Sequence, residues 1–156
     1  MKTDYKKTIT YIQSKEIYQL TKEFTAKYLH PIKDSRLKDH MNSSARSMKQ
    51  NLAEGAARIG LKDYIEFISF SRASGEELLE DYKDLAGDWN IKIVRSPFSS
   101  LPSSPSLPSF LNYMIDLTTR TNYLLDQQRR SLEKIFIEKG GFSENLAKKR
   151  REFRKY

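Results

Sequence analysis

Two histidines, His30 and His40, are the only imidazole side chains in the sequence, and imidazole is a common metal ligand and proton carrier. A di-iron helical bundle places a Glu three residues before a His on two of its helices. Lys27 and Leu37 occupy those positions here, so this motif is absent. The sequence has no Cys, which removes the thiolate ligands that many zinc sites use. We therefore expect no bound metal and no cofactor.

Carboxylates and serines could support acid–base or nucleophilic chemistry, but their spacing does not favour it. Pairs such as Glu80–Lys83 indicate that the acidic run at positions 76–84 is a solvated helix face. No serine occupies a Gly-x-Ser-x-Gly motif, and no glycine-rich phosphate loop is present. The sequence therefore predicts a protein that is not an enzyme and takes no small-molecule substrate. The acidic residues of this run are Glu76, Glu77, Glu80, Asp81 and Asp84.

Basic side chains give the sequence a formal net charge of +8, and they are unevenly distributed. Residues 129–156 hold ten basic and four acidic residues, whereas residues 1–128 hold 18 and 16. A concentrated basic segment is expected of a protein that binds RNA or DNA, but a solvated helix has the same composition. Charge alone leaves both interpretations open. The candidate nucleic-acid-binding residues are Arg46, Lys49, Arg58, Lys62, Arg72, Lys148, Lys149, Arg150, Arg151 and Arg154.

Apolar residues spaced three or four apart predict that helices position these side chains. The first helix ends before Pro31, and the second begins after the N-cap residue Asp34 and ends near Gly55 or Gly60. The apolar residues of the first helix are Ile9, Ile12, Leu20, Phe24 and Tyr28. Those of the second are Leu37, Met41, Ala45, Met48 and Leu52.

The third helix has the longest apolar face, and its small residues Ser71, Ser74 and Gly75 allow close approach of a neighbouring helix. A Pro/Ser-rich segment at 96–109 follows and predicts a mobile linker. Pro108 suits the first turn of a fourth helix, which Gly140-Gly141 ends. The face of the third helix comprises Tyr64, Phe67, Ile68, Ser71, Gly75, Leu78, Tyr82, Leu85 and Trp89.

These elements predict an all-α fold: an antiparallel four-helix bundle over residues 1–138, and an extra basic C-terminal helix within a suffix at 139–156. The suffix helix is expected at about residues 143–154. The first 18 residues show no apolar segment typical of a signal peptide, and no apolar stretch in the sequence is long enough to span a membrane. We therefore expect a cytoplasmic protein that does not contact membranes.

The second and third helices carry a pattern that resembles the bacterial four-helix bundle protein family. This family includes proteins encoded in intervening sequences of large-subunit rRNA genes, and Avd, the accessory variability determinant of diversity-generating retroelements. The tail resembles a variant with a C-terminal suffix. The matching segments are Ala-Arg-Ser at 45–47, Asn-Leu-Ala-Glu-Gly at 51–55, Tyr-Ile-Glu-Phe at 64–67, Ser-Arg-Ala-Ser at 71–74 and Glu-Leu at 77–78.

The resemblance implies a homo-oligomer, typically a pentamer, with RNA, DNA or a reverse transcriptase as partners. It implies a structural role at the end of the second helix for Asn51, Glu54 and Gly55. Three functions follow: a non-enzymatic oligomeric scaffold that binds nucleic acid, a protein adaptor such as an accessory subunit of a reverse transcriptase, or a structural protein whose tail packs on the bundle or on a neighbouring subunit.

Overall fold

The computed structural model describes residues 4–155, which form helices and connecting segments without a strand. A 3-10 turn at Tyr5–Lys7 precedes five α-helices. They are α1 (Ile9–Tyr28), α2 (Ser35–Ala57), α3 (Leu61–Asp88), α4 (Leu107–Lys139) and α5 (Phe142–Phe153). Residues 1–3 of the predicted bundle and residue 156 of the predicted suffix lie outside the described residues.

Helices α1 to α4 form a closed bundle in which each packs on the next in the chain and α4 packs back on α1. Two hydrogen bonds show that α1 and α4 are antiparallel. Thr10, near the start of α1, bonds Gln128 in the second half of α4, whereas Glu16, later in α1, bonds Tyr113 near the start of α4. The predicted all-α, antiparallel four-helix bundle with an extra C-terminal helix is confirmed. Among the described residues, no helix is long and apolar enough to cross a membrane.

Helix ends lie at the residues predicted for them. Asp34 precedes α2, which ends at Ala57, between Gly55 and Gly60. Pro108 lies in the first turn of α4, and the Ser106 hydroxyl before it accepts a hydrogen bond from Ser109 N at 3.3 Å. Gly140 adopts a φ of 72° at the end of α4, a conformation that favours glycine.

The core contains apolar residues predicted to face it from α2 and α3. It also contains an aromatic cluster near the C-terminus of α1. Phe24 contacts Tyr82 and Phe110, with ring centroids 5.2 and 5.3 Å apart. The Tyr82 hydroxyl shares a 2.8 Å hydrogen bond with the Thr21 hydroxyl. Burial raises the pKa of Tyr82, so this phenol remains protonated and bonded in the folded protein.

The buried face of α1 differs from the one predicted. Ile9 and Ile12 are exposed, whereas Thr and Ser side chains occupy core positions. A hydrogen bond allows the polar Thr10 to occupy a core position, because its hydroxyl donates to Gln128 Oε1 on α4 at 2.7 Å. The buried residues of α1 are Thr10, Ser14, Ile17, Thr21, Phe24 and Thr25.

The connection between α3 and α4 is attached to the bundle at its start, just before the predicted linker, whose mobility stays a prediction. Helix α4 begins at Leu107, within the last three residues of that predicted linker. Asn112 is buried and accepts a hydrogen bond from Val94 N at 2.8 Å, while its Nδ2 donates to Lys92 O at 3.1 Å. Phe98 also packs against the core. The buried Asn112 amide thus forms hydrogen bonds with the N–H of Val94 and the C=O of Lys92, two backbone groups that have no helix or strand partner.

Candidate nucleic-acid interface

Helix α4 extends past its last buried residue, beside the α2–α3 turn, before it reaches α5. Leu125 is its last buried residue, yet the helix continues to Lys139, which adds about 21 Å of length. Every residue of α5 is exposed, and α5 is absent from the helix pairs that pack together. We call residues 133–155 the C-terminal arm. Its position places any ligand of α5 outside the four-helix bundle.

The break between α4 and α5 sets the direction of α5. Gly140 N donates to Phe136 O at 2.8 Å, and the Glu144 carboxylate accepts a weak hydrogen bond from Gly141 N at 3.4 Å. A Cβ atom on Gly141 would lie 2.8 Å from the Phe136 ring, so the second glycine allows the chain to pass close to that ring. α5 therefore starts from a defined turn.

The cations of α5 are exposed and have no hydrogen-bond or ion-pair partner for their side chains among the described residues. Those of α4 differ, since Arg129 and Arg130 bond Asp126 at 2.9 and 2.8 Å. The hydrogen bond from Arg129 lowers the pKa of Asp126. The positive charge of α4 is thus largely neutralised within the helix, whereas that of the arm is available to a ligand. The unpaired cations are Lys148, Lys149, Arg150 and Arg151 of α5, and Arg154 directly after it.

The predicted candidates on the bundle do not gather around the arm cations. The side chains of Arg46, Lys62 and Arg72 are exposed on α2 and α3 and have no polar partner among the described residues. Lys49 lies 5.5 Å from the centre of the Tyr18 ring, on the α1 side of the bundle. The positive charge of the bundle is therefore dispersed over several surfaces.

The last basic candidate, Arg58, belongs to the turn between α2 and α3. Its guanidinium bonds Glu54 at 2.8 Å and lies 4.9 Å from the centre of the Phe67 ring. Gly55 is buried, and a Cβ atom there would lie 2.6 Å from Phe67 Cβ, so this glycine permits close contact between α2 and α3. Asn51 is half-buried within α2. This segment holds the turn between α2 and α3 in place. Because Arg58 is paired with Glu54, it is less available to a phosphate than the arm cations are.

The family model described as 23S rRNA-intervening sequence protein matches residues 5–90. The chain belongs to this family. The match confirms the resemblance inferred from the sequence, and it spans α1, α2 and α3. A comparison with curated proteins finds no match. Helix α4 and the C-terminal arm lie outside the matched residues of this 23S rRNA-intervening sequence protein.

An apolar cleft joins the matched residues to the base of the arm. It has a volume of about 520 Å³ and lies between the α2–α3 turn, α4 and the start of α5. Gln128 Nε2 donates to the Tyr64 hydroxyl at 3.2 Å inside it, and burial raises the pKa of Tyr64. Sequence reasoning missed this cleft, although the isolated apolar Ile59 in a turn is a signal for it. Its apolar lining includes Ile59, Leu61, Tyr64, Leu132, Ile135 and Phe142.

Three members of the acidic run of α3, Glu77, Glu80 and Asp81, contact His40 or Lys83 on the surface. His40 Nδ1 bonds Asp81 Oδ2 at 2.6 Å and His40 Nε2 lies 3.8 Å from Glu77, which links α2 to α3 on the surface. The Glu80–Lys83 pair is present at 3.4 Å. The described residues hold no group of three or more histidines and carboxylates able to bind a metal ion.

Proposed function

We propose that this 23S rRNA-intervening sequence protein is a non-enzymatic, homo-oligomeric scaffold that binds nucleic acid through its C-terminal arm. One observation carries the proposal: α5 is an exposed helix whose cations have no partner within the described chain. Other basic side chains, such as Arg129 and Arg58, are occupied by carboxylates. Charge that the fold does not use is available to phosphates.

The dimensions of α5 support contact with several phosphates. Its twelve residues span about 18 Å, and duplex DNA carries one charge per about 1.7 Å of its axis. Each neutralised phosphate releases bound counterions, so affinity falls as salt rises. Several arms on one assembly would act together and increase the overall affinity. Exposed apolar residues, among them Ile59 and Ile137, support association into the pentamer that the resemblance implies.

Fluorescence anisotropy with labelled 20-mer RNA and DNA tests the proposal. We expect Lys148→Gln/Arg151→Gln/Arg154→Gln to weaken binding by about tenfold or more at 50 mM salt, because each lost phosphate contact removes counterion release. The matched control removes three positive charges near the other end of the bundle: Lys33→Gln/Lys92→Gln/Arg95→Gln. We expect a change below about threefold for it, since those side chains make no phosphate contact in this proposal.

Two outcomes overturn the proposal: no binding by the unaltered protein at low salt, or equal losses in the arm variant and its control. Equal losses indicate a response to net charge alone.

The apolar cleft at the base of the arm favours a second function, that of a protein adaptor. Its exposed residue Ile59 lies beside the half-buried Leu61, where an apolar partner side chain could insert. Two observations together would support this function: a reverse transcriptase gene beside the gene for this protein, and co-purification of that reverse transcriptase with the unaltered protein but not with an Ile59→Glu variant. The absence of such a neighbouring gene removes the reverse transcriptase from consideration.

A further inference from the structure

Helix α5 has an apolar stripe that phosphate binding does not require. Phe142, Leu146 and Phe153 are 48%, 54% and 83% exposed. They follow one another at intervals of four and seven residues, so they share one side of the helix. At 100° per residue, Lys149 and Arg150 flank this stripe. A helix face with an exposed apolar stripe and flanking cations can bind a protein surface on which an apolar patch lies next to acidic side chains.

The outward face of α3 has that character. Phe70, Ala73, Glu77, Glu80 and Asp84 follow one another at alternating steps of three and four, and all are exposed. α3 holds eight acidic and three basic residues. Each of the other described α-helices has at least as many basic as acidic residues. His40 and Lys83 already contact Glu77 and Glu80, but α3 as a whole keeps an excess of acidic side chains. The net charges of α3 and α5 are therefore complementary.

The arm cannot reach the acidic part of α3 in its own chain. Phe142 and Tyr64 border the same cleft, which places the start of α5 beside the start of α3. From Tyr64 to Glu80 the α3 axis rises about 24 Å. Lys149 lies seven residues after Phe142, a rise of about 10 Å. Even folded back along α3, Lys149 would stop well short of Glu80, so the surface it fits belongs to a second copy.

We propose that α5 of one copy docks on the outward face of α3 in a second copy. Phe142 and Leu146 of the apolar stripe then cover Phe70 and Ala73, and Lys149 and Arg150 face the acidic residues that follow. Such a contact joins two different surfaces and repeats from copy to copy, which is the arrangement that closes cyclic oligomers. It goes beyond nucleic-acid binding and leaves the opposite side of α5 facing solvent.

Charge reversal tests this contact, with molar mass measured by light scattering after size-exclusion chromatography. We expect Lys149→Glu/Arg150→Glu to reduce the mass toward that of one chain, because α5 would then repel α3. Glu80→Lys/Asp84→Lys should do the same from the other side. All four changes in one chain restore opposite charges, so the mass should return to that of the unaltered protein.

A matched control uses the opposite side of the same helix. Lys148→Glu/Arg151→Glu makes the same change in charge and should leave the mass unchanged. Circular dichroism at 222 nm checks that every variant remains helical. A single-chain mass for the unaltered protein overturns the docking. So does a mass that the Lys149/Arg150 change leaves intact, an equal effect of the control, or no recovery in the fourfold variant.

Two further results separate this docking from other roles of α5. If the mass is insensitive to all these changes while α5 binds anionic phosphatidylserine vesicles, the stripe contacts a membrane surface and the docking is wrong. If the masses change as expected but the protein binds no nucleic acid, the docking stands and the proposed function fails.

Discussion

Substitution of Gly75 by Ala is the most informative single change in the bundle. Gly75 is buried in α3 where α2 and α4 both approach it. A Cβ atom there would overlap Asn122 Oδ1 on α4 and would lie 2.8 Å from Met48 Cε on α2. Both neighbours are buried, Met48 completely, which restricts how far they can move away. We expect Gly75→Ala to destabilise the protein, because the ends of these two buried side chains must shift within a close-packed core.

The magnitude follows from two opposing effects. Adding a methyl group to a close-packed core typically costs about 1–3 kcal/mol. Replacing Gly by Ala inside a helix stabilises it by about 1 kcal/mol. A Cβ atom on Gly87, in the same helix, would meet no neighbouring side chain within 4 Å, so Gly87→Ala shows only the second effect. The difference in unfolding free energy between the two variants should therefore be about 1–3 kcal/mol, with Gly75→Ala less stable.

Urea denaturation followed by circular dichroism measures this difference. The clash can also be relieved: Asn122→Ala removes the overlapping oxygen, so Gly75→Ala should cost less in that background than in the unaltered protein. If Gly75→Ala and Gly87→Ala stabilise the protein equally, the close approach of α2, α3 and α4 at Gly75 is wrong.

Two other predictions concern Tyr113 and Asn112. Burial, together with the 2.7 Å hydrogen bond to Glu16, raises the pKa of Tyr113 to about 12, so the folded protein keeps a proton that the unfolded chain loses near pH 10. The unfolding free energy should fall between pH 10 and 12, by up to about 1.4 kcal/mol per pH unit from this residue, and Tyr113→Phe should flatten the fall measured by urea denaturation. Asn112→Ala should release the connection between α3 and α4 and increase proteolysis after Lys92, measured by limited trypsin digestion, whereas unchanged cleavage would contradict the anchoring role.

The bundle was predictable wherever apolar side chains make the core. Met41, Ala45, Met48 and Leu52 of α2 were all expected on the buried face, and all are buried. The buried face of α1 was not predictable, because its core positions include Thr and Ser, which are usually surface residues. The partner of Thr10 is 118 positions away, so local periodicity contains no sign of it.

The candidate site was only partly predictable. The sequence shows how many cations the suffix has, and it places the break at Gly140-Gly141. It does not show that Arg129 and Arg130 are paired with Asp126 while the α5 cations are not, because that depends on side-chain geometry. The cleft beside Ile59 depends on how far α4 extends past the α2–α3 turn, which is a property of the folded chain.

The salt dependence of nucleic-acid binding tests the central claim most directly. The logarithm of the association constant should fall linearly with the logarithm of salt concentration, and each phosphate contact adds about 0.7 to 0.9 to the slope. We predict that the arm variant at Lys148, Arg151 and Arg154 has a slope about 2 to 3 units shallower than the unaltered protein, while the control at Lys33, Lys92 and Arg95 keeps the full slope. Equal slopes for the arm variant and the unaltered protein would contradict phosphate binding by α5.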